Sequence, residues 1–347
     1  MNYWYFEPFI STISQRQGEF NCQWQLSPEQ QHYLRDHIFS GQCLVPAAIS
    51  AEFMSQVAMM ALALKPQDKI QLTLVDFAIR RPLAFAPNES LTVFAHAVIV
   101  PPAADARLNS QTIAVRLTRH YYDANGKCLR QGVLVATASV NISMTQTAPH
   151  QLGYSDGLDH NWDHYRFSQA HYYQLFNPTH GALFQSLTGR FALSPDNLSL
   201  ISEFNLQTTE AAYANPSKQQ TFAFALGPLA LDSVLQACVL CCVQIESQLS
   251  EQFFSKLPVG LSQVVVFTPW RKNANYRTLV RSLTLDDTTQ TLRAWVFDEQ
   301  QQLVAYIGQI KLHRAPNEQR QACHLEQHYQ QYRCEQAPLA KVLEALC

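Results

Sequence analysis

Two short stretches carry residue types that could do acid–base chemistry on an acyl group. "DHIFSGQCLVP" (36–46) holds His37, with Gly41 four residues on and Pro46 five residues after that. "LDSVLQ" (231–236) places Asp232 and Gln236 at i and i+4, one face of one turn if the segment is helical. A neutral histidine can take a proton. An aspartic acid in an apolar setting should have its pKa raised by desolvation, so it can give one. Such a pair suits removal of a proton α to a carbonyl together with protonation of a β-hydroxyl leaving group. Gly41 would let a backbone N–H approach the carbonyl oxygen without Cβ interference. A helix N-terminus nearby favours developing negative charge. Either residue alone is weak evidence, since a single histidine beside an apolar helix is commonly structural and a helical aspartate is commonly a cap.

The elements that must position these residues are two apolar helices. One reads from Pro46, a suitable first helical residue, to Leu64, with Glu52 as its interruption; the other reads from Pro228 to about 248, interrupted by Asp232. Both lack a wide polar face, so each must be covered nearly all round. Strand-like segments follow each helix. After the first come "IQLTLVDFAI", "SLTVFAHAVIV", "QTIAVRLTRHYY" and "KCLRQGVLVATASVNI"; after the second come "GLSQVVVF", "YRTLVRSLTL", "QTLRAWVF" and "QLVAYIGQIKL". The closing hairpins correspond too, with Asp-Ala-Asn-Gly at 123–126 and Asp-Glu-Gln-Gln at 298–301. A helix followed by an antiparallel sheet, met twice, is an internal repeat. A curved sheet wrapped around one helix is the hot-dog arrangement, so the expected class is α+β, a double hot-dog. The expected organisation is an N-terminal hot-dog over 1–144, a linker over 145–170, a C-terminal hot-dog over 171–314 and a tail or appended helix over 315–347.

Composition narrows the function classes. Lys plus Arg number 25 against 27 Asp plus Glu, with no basic tract of the kind that binds nucleic acid or anionic lipid. The start, "MNYWYFEPFIST", has no basic n-region or continuous apolar core, and the two long apolar runs carry charges, so neither a signal peptide nor a membrane span is expected. Nine cysteines, three of them in "CVLCC" (238–242), read as free thiols in a reducing cytoplasm. Cys238, Cys241 and Cys242 read as small hydrophobes and not as metal ligands. His160 with His164, and His324 with His328, lack the intervening glutamate of a zinc-protease helix. No metal is expected. Ser233 in "LALDSV" superficially matches a phosphopantetheine attachment serine, but it falls inside an apolar helix, so that reading is rejected.

The chain resembles the dehydratase domains of modular polyketide synthases, a double hot-dog family, over about residues 20–313. "LRDHIFSGQCLVP" is similar to the family's L-x-D-H-x-x-x-G-x-x-x-x-P, and "LALDSVLQA" to its Leu-Asp-x-x-x-Gln/His. "YYQLFNPTHGALFQSLTGRF" is similar to its Y-x-x-L … Y-G-P-x-F-Q-x-L, and "KLPVGLSQVVVF" to the strand that follows the second helix. The resemblance implies that His37 and Asp232 are catalytic, and that Gly41, Pro46, Gln236, His180 and Phe184 contact substrate. It implies loss of water from a 3-hydroxyacyl thioester on an acyl carrier protein within a polyketide or fatty-acid-like synthase, with no cofactor beyond the carrier's phosphopantetheine arm. A homodimer is left open. His180-Gly181-Ala182 stands where the family has Tyr-Gly-Pro, which keeps an isomerase or cyclase outcome on the same fold in play. The non-enzymatic alternative is an acyl-binding scaffold, against which the retention of both His37 and Asp232 argues.

Overall fold

The computed structural model describes residues 3–4, 6, 9–16, 18–65, 68–101, 110–123, 125–144, 162–175, 179–206, 222–250, 252–253, 256–286, 288–314, 321–322 and 329–331. Two long helices stand out among them: α1 (Ala47–Ala61) and, after the short α2 (Gln169–Leu175), α3 (Pro228–Ser250). Of α1 every residue but Met60 is buried, glutamate included. The alanines at 47, 48, 51, 58 and 61 leave room for the sheet and for α3 to approach closely. One part of α3, Pro228–Glu246, is long and apolar enough to cross a membrane, but it is wholly buried within the fold. It is a core helix.

Fourteen of the described strands form one antiparallel sheet, and its order shows the repeat. From one edge run Ile10–Arg16, Glu19–Leu26, Leu91–Val100, Ser110–Tyr122, Cys128–Ser143 and Gln71–Ile79; then Lys256–Val266, Leu303–Arg314, Thr289–Phe297, Asn275–Leu285, Ser199–Asn205, Leu187–Leu193, Asp163–Phe167 and Tyr329–Gln331. The first strand of this sheet after α1 therefore pairs with the first strand of this sheet after α3, through Gly260 with Ala78, Leu261 with Phe77 and Val264 with Leu74. On either side of this seam the order repeats outward, as a pseudo-twofold requires. Strands alternate in burial: Phe20, Cys22, Trp24 and Leu26 point inward on one, Leu91, Val93, Ala95 and Ala97 on a neighbour. These faces wrap the helices.

The two corresponding hairpins close in the same way. The Asp123 side chain accepts from Asn125 and Lys127 N–H, and Gly126 takes a positive φ; Asp298 accepts from Gln302 N–H, with Gln301 at positive φ. Two expectations change. α1 starts at Ala47, with Pro46 as its N-cap in extended geometry, because Pro46 O accepts the first helical bond from Ser50. The expected linker ends in structure: Asp163–Phe167 is a sheet strand and α2 follows it, while 145–161 lie outside the described residues. Most of 315–347 also lies outside them. Its described pieces are short strands, Gln321–Ala322 against Gln252–Phe253 and Tyr329–Gln331 on the sheet edge, and the expected helix at its end falls outside the described residues.

Candidate active site

His37 is the hinge between a short 3-10 turn (His32–Asp36) and a tight hairpin of Ile38–Phe39 with Gln42–Leu44. The hairpin turns at Ser40 and Gly41, both with positive φ (49° and 78°), which is the geometry a two-residue connection needs. Gly41 is accordingly exposed at the turn and is not part of the cavity wall; Phe39, Ser40 and Gln42 around it are. The turn brings Leu44 back onto His37. Leu44 N–H donates to the His37 carbonyl at 3.0 Å, and the Leu44 carbonyl lies 2.6 Å from His37 Nδ1. A carbonyl only accepts, so Nδ1 carries a hydrogen and Nε2 of the neutral ring keeps its lone pair. Burial, then the charge of His180, pull the His37 pKa down to about 4, against the opposing pull of Asp232 and the Leu44 carbonyl. The ring is a neutral base.

Asp232 sits in the first turns of α3, buried, with Gln236 one turn further along. Gln236 Nε2 donates to Asp232 Oδ2 at 2.8 Å and to the Phe184 carbonyl at 2.7 Å. Its Oε1 accepts from the Tyr173 hydroxyl at 2.7 Å, and that hydroxyl in turn accepts Leu187 N–H at 3.0 Å. The amide can therefore point only one way.

His180 is held by backbone pairing with His37 and by the Ile38 N–H bond to the Thr179 carbonyl at 3.1 Å. Its Nε2 lies 3.3 Å from Asp232 Oδ2, and its Nδ1 lies 3.2 Å from Thr179 Oγ1. Gly181 follows because there is no space for a side chain: a Cβ there would meet Asp36 Cγ at 2.8 Å. Asp36 binds this segment twice, its carbonyl accepting Gly181 N–H at 2.7 Å and its carboxylate accepting Leu183 N–H at 2.8 Å. Phe184 packs its ring edgewise against both histidines, 5.6 Å from His37 and 6.0 Å from His180.

The structure thus brings His37, His180 and Asp232 together, with ring nitrogens and carboxylate oxygen within 4.8 Å of one another. His180 and Asp232 already satisfy each other, so the arrangement is a hydrogen-bonded acid–base cluster. Gln236 and His180 line the cavity beside it, Phe184 buttresses the rings, and Pro46 caps α1 outside the wall. The expectation of a raised Asp232 pKa is corrected. Burial does push the carboxyl up, but the hydrogen bond and charge of His180, the charge of His37 and the Gln236 bond together bring it below the ordinary value. A partner far away in sequence outweighs the apolar helix around it.

The cavity has a volume of about 1210 Å³ and runs from this cluster along the seam between the halves, past Phe77, Ala78, Gly260 and Leu261. One residue that sequence reasoning passed over fixes how the halves meet. Glu52 of α1 is fully buried; its carboxylate accepts Ala225, Leu226 and Gly227 N–H at 2.6, 2.7 and 3.1 Å, and Gln56 Nε2 at 2.6 Å. Burial raises its pKa, and the four donors pull it the other way. The clamp sets the chain entering α3, hence the place of Asp232. A charge interrupting an apolar helix was the available signal.

A family model described as polyketide synthase dehydratase N-terminal domain matches residues 164–322. No curated protein matches the chain. Among solved structures, the dehydratase domain of RzxB from Pseudomonas fluorescens is 18% identical with a TM-score of 0.61, over 88% of this chain and 98% of its own. A trans-AT polyketide synthase dehydratase domain from Brevibacillus brevis is 16% identical with a TM-score of 0.64, over 89% and 98%. The PpsC dehydratase domain from Mycobacterium tuberculosis, in complex with C12:1-CoA, is 17% identical with a TM-score of 0.60, over 89% and 99%. At these identities the likeness establishes the fold, a double hot-dog.

Proposed function

Starting from the polyketide synthase dehydratase family, which this chain resembles in fold and over residues 164–322, we propose that it is a hydro-lyase acting on 3-hydroxyacyl thioesters. The observation that carries the reading is His37, its Nδ1 pinned by the Leu44 carbonyl and a nitrogen of its ring within 4.8 Å of the Asp232 carboxyl, both residues lining one cavity. His37 takes a proton from the α-carbon and the electrons move into the thioester carbonyl. The β-carbon–oxygen bond then breaks, with the hydroxyl leaving as water on a proton from the Asp232 side. The chain needs no metal or organic cofactor for these steps. Ala47 at the start of α1, which has no side-chain cap, lines the cavity, so the positive end of that helix dipole can favour a developing oxyanion.

The substrate's carrier is read from the rest of the wall. Arg80, Arg81, Lys311 and Arg314 also line the cavity. These cations suit the phosphodiester of a phosphopantetheine arm, and the largely apolar seam suits the acyl chain. An acyl carrier protein is the partner this implies.

Variants test the reading. His37→Ala and Asp232→Asn should each lower dehydration of a 3-hydroxyacyl-carrier thioester by about 10²–10⁴-fold, and the double variant should lose little more than either single one. Unaltered turnover in folded His37→Ala protein rejects the assignment. Binding of acyl-carrier without turnover by wild type would favour a scaffold.

A further inference from the structure

The proton that the leaving hydroxyl takes has to reside somewhere before the reaction, and the hydrogen bonds around Asp232 decide where. Oδ2 is approached by two nitrogens, Gln236 Nε2 at 2.8 Å and His180 Nε2 at 3.3 Å. The Gln236 amide cannot flip, because Tyr173 O–H donates to its oxygen and the Phe184 carbonyl takes its other N–H. A fixed N–H donor on Oδ2 favours that oxygen unprotonated. The proton on the line between Oδ2 and His180 Nε2 then belongs on the nitrogen. Thr179 accommodates this: its hydroxyl can accept from Nδ1 of the charged ring or donate to Nδ1 of the neutral one, so His180 keeps its partner in both states. The 3.3 Å separation is longer than the roughly 2.7–2.9 Å of a tight charge-assisted bond, so the proton is not locked to the carboxylate.

We propose that His180 is itself a catalytic residue: it carries the acid proton to the leaving hydroxyl, with Asp232 as the carboxylate that charges it. The inference rests on the dehydratase reading and reassigns one role within it. In balance, the α-proton goes to His37 Nε2, the C–H electrons become the new carbon–carbon π bond, and the β-carbon–oxygen pair leaves with the oxygen. That oxygen takes the His180 Nε2 proton and departs as water. His37 ends protonated and His180 neutral, and transfer of one proton across the cluster restores both. Among the described residues, the titratable groups facing His180 are His37 from the 32–44 segment, Tyr173 from α2 and Asp232 from α3.

His180→Gln tests the role, since glutamine can still donate a hydrogen bond to Asp232 but cannot give up a proton. The variant should keep its melting temperature and KM while kcat falls about 10²–10⁴-fold. Its residual activity should also move to lower pH, because the only acid left is the Asp232 carboxyl. A packing role for His180 would leave the alkaline limb where it is. Full kcat with an unmoved pH profile in folded His180→Gln overturns the inference alone. An inactive wild type removes the dehydratase reading and this role together.

Discussion

Glu52→Gln replaces one buried oxygen by an NH2 group of nearly the same size, which makes it a demanding test of how the two halves are joined. Oε1 accepts Ala225 N–H and Gln56 Nε2, and Oε2 accepts Leu226 and Gly227 N–H. Whichever way the new amide turns, its NH2 faces two N–H donors, and two hydrogen bonds are lost with no acceptor in their place. A buried donor left unpaired costs about 1–3 kcal/mol. Two of them, less the relief of no longer burying a charge, come to about 3 kcal/mol. For a chain of 347 residues, at about 2.1 cal/mol/K of unfolding entropy per residue, that corresponds to a melting temperature roughly 4 °C lower. Differential scanning calorimetry at neutral pH measures it. Dehydration should fall as well, because the clamped segment leads directly into α3 and a shift of about 1 Å at a reacting group can cost about 10²-fold. A variant that melts within about 1 °C of wild type would refute the view that this carboxylate holds α3 in place.

Because burial and His180 hold His37 near pKa 4, the acid limb of kcat/KM should lie near pH 4, where the ring begins to take a proton and ceases to be a base; a limb at the ordinary value of about 6.5 would contradict its burial. Gly181→Ala should displace the His180 segment from Asp36, with loss of about 1–3 kcal/mol in calorimetry and reduced turnover, since its Cβ would come within 2.8 Å of Asp36 Cγ. Dialysis against a chelator should leave dehydration unchanged; loss of activity that Zn²⁺ restores would mean the histidine–aspartate cluster works through a metal.

Much of the fold is legible in the chain because both its signals are local. Alternation such as Phe20, Cys22, Trp24 and Leu26 marks half-buried strands, and the near-absence of a polar face on 47–61 marks a helix surrounded on all sides. The Asp232–Gln236 contact is legible in their i,i+4 spacing, whereas the pairing of Asp232 with His37 is what the family resemblance implies. The environment of Asp232 is not legible. Its own neighbours in sequence are apolar and suggest a raised pKa, whereas His180, which reverses the shift, reaches it only through pairing with the His37 strand. The roles of Asp36 and Glu52 are hidden for the same reason: each binds backbone N–H groups of a distant segment, and those donors have no signature in residue type. Gly41 and Gly181 look alike in a motif but answer to different demands, one a positive φ at a hairpin turn and the other the missing space beside Asp36.

The most direct test of the account is intact-protein mass spectrometry of an acyl carrier protein bearing a 3-hydroxyacyl thioester dideuterated at its α-carbon. Incubated with this protein, the carrier should lose its hydroxyl as water together with one α-deuterium, at a rate that collapses in His37→Ala. A carrier that keeps its mass with wild-type protein, across acyl chains that the cavity can hold, would contradict the assignment of the cluster as a dehydratase site.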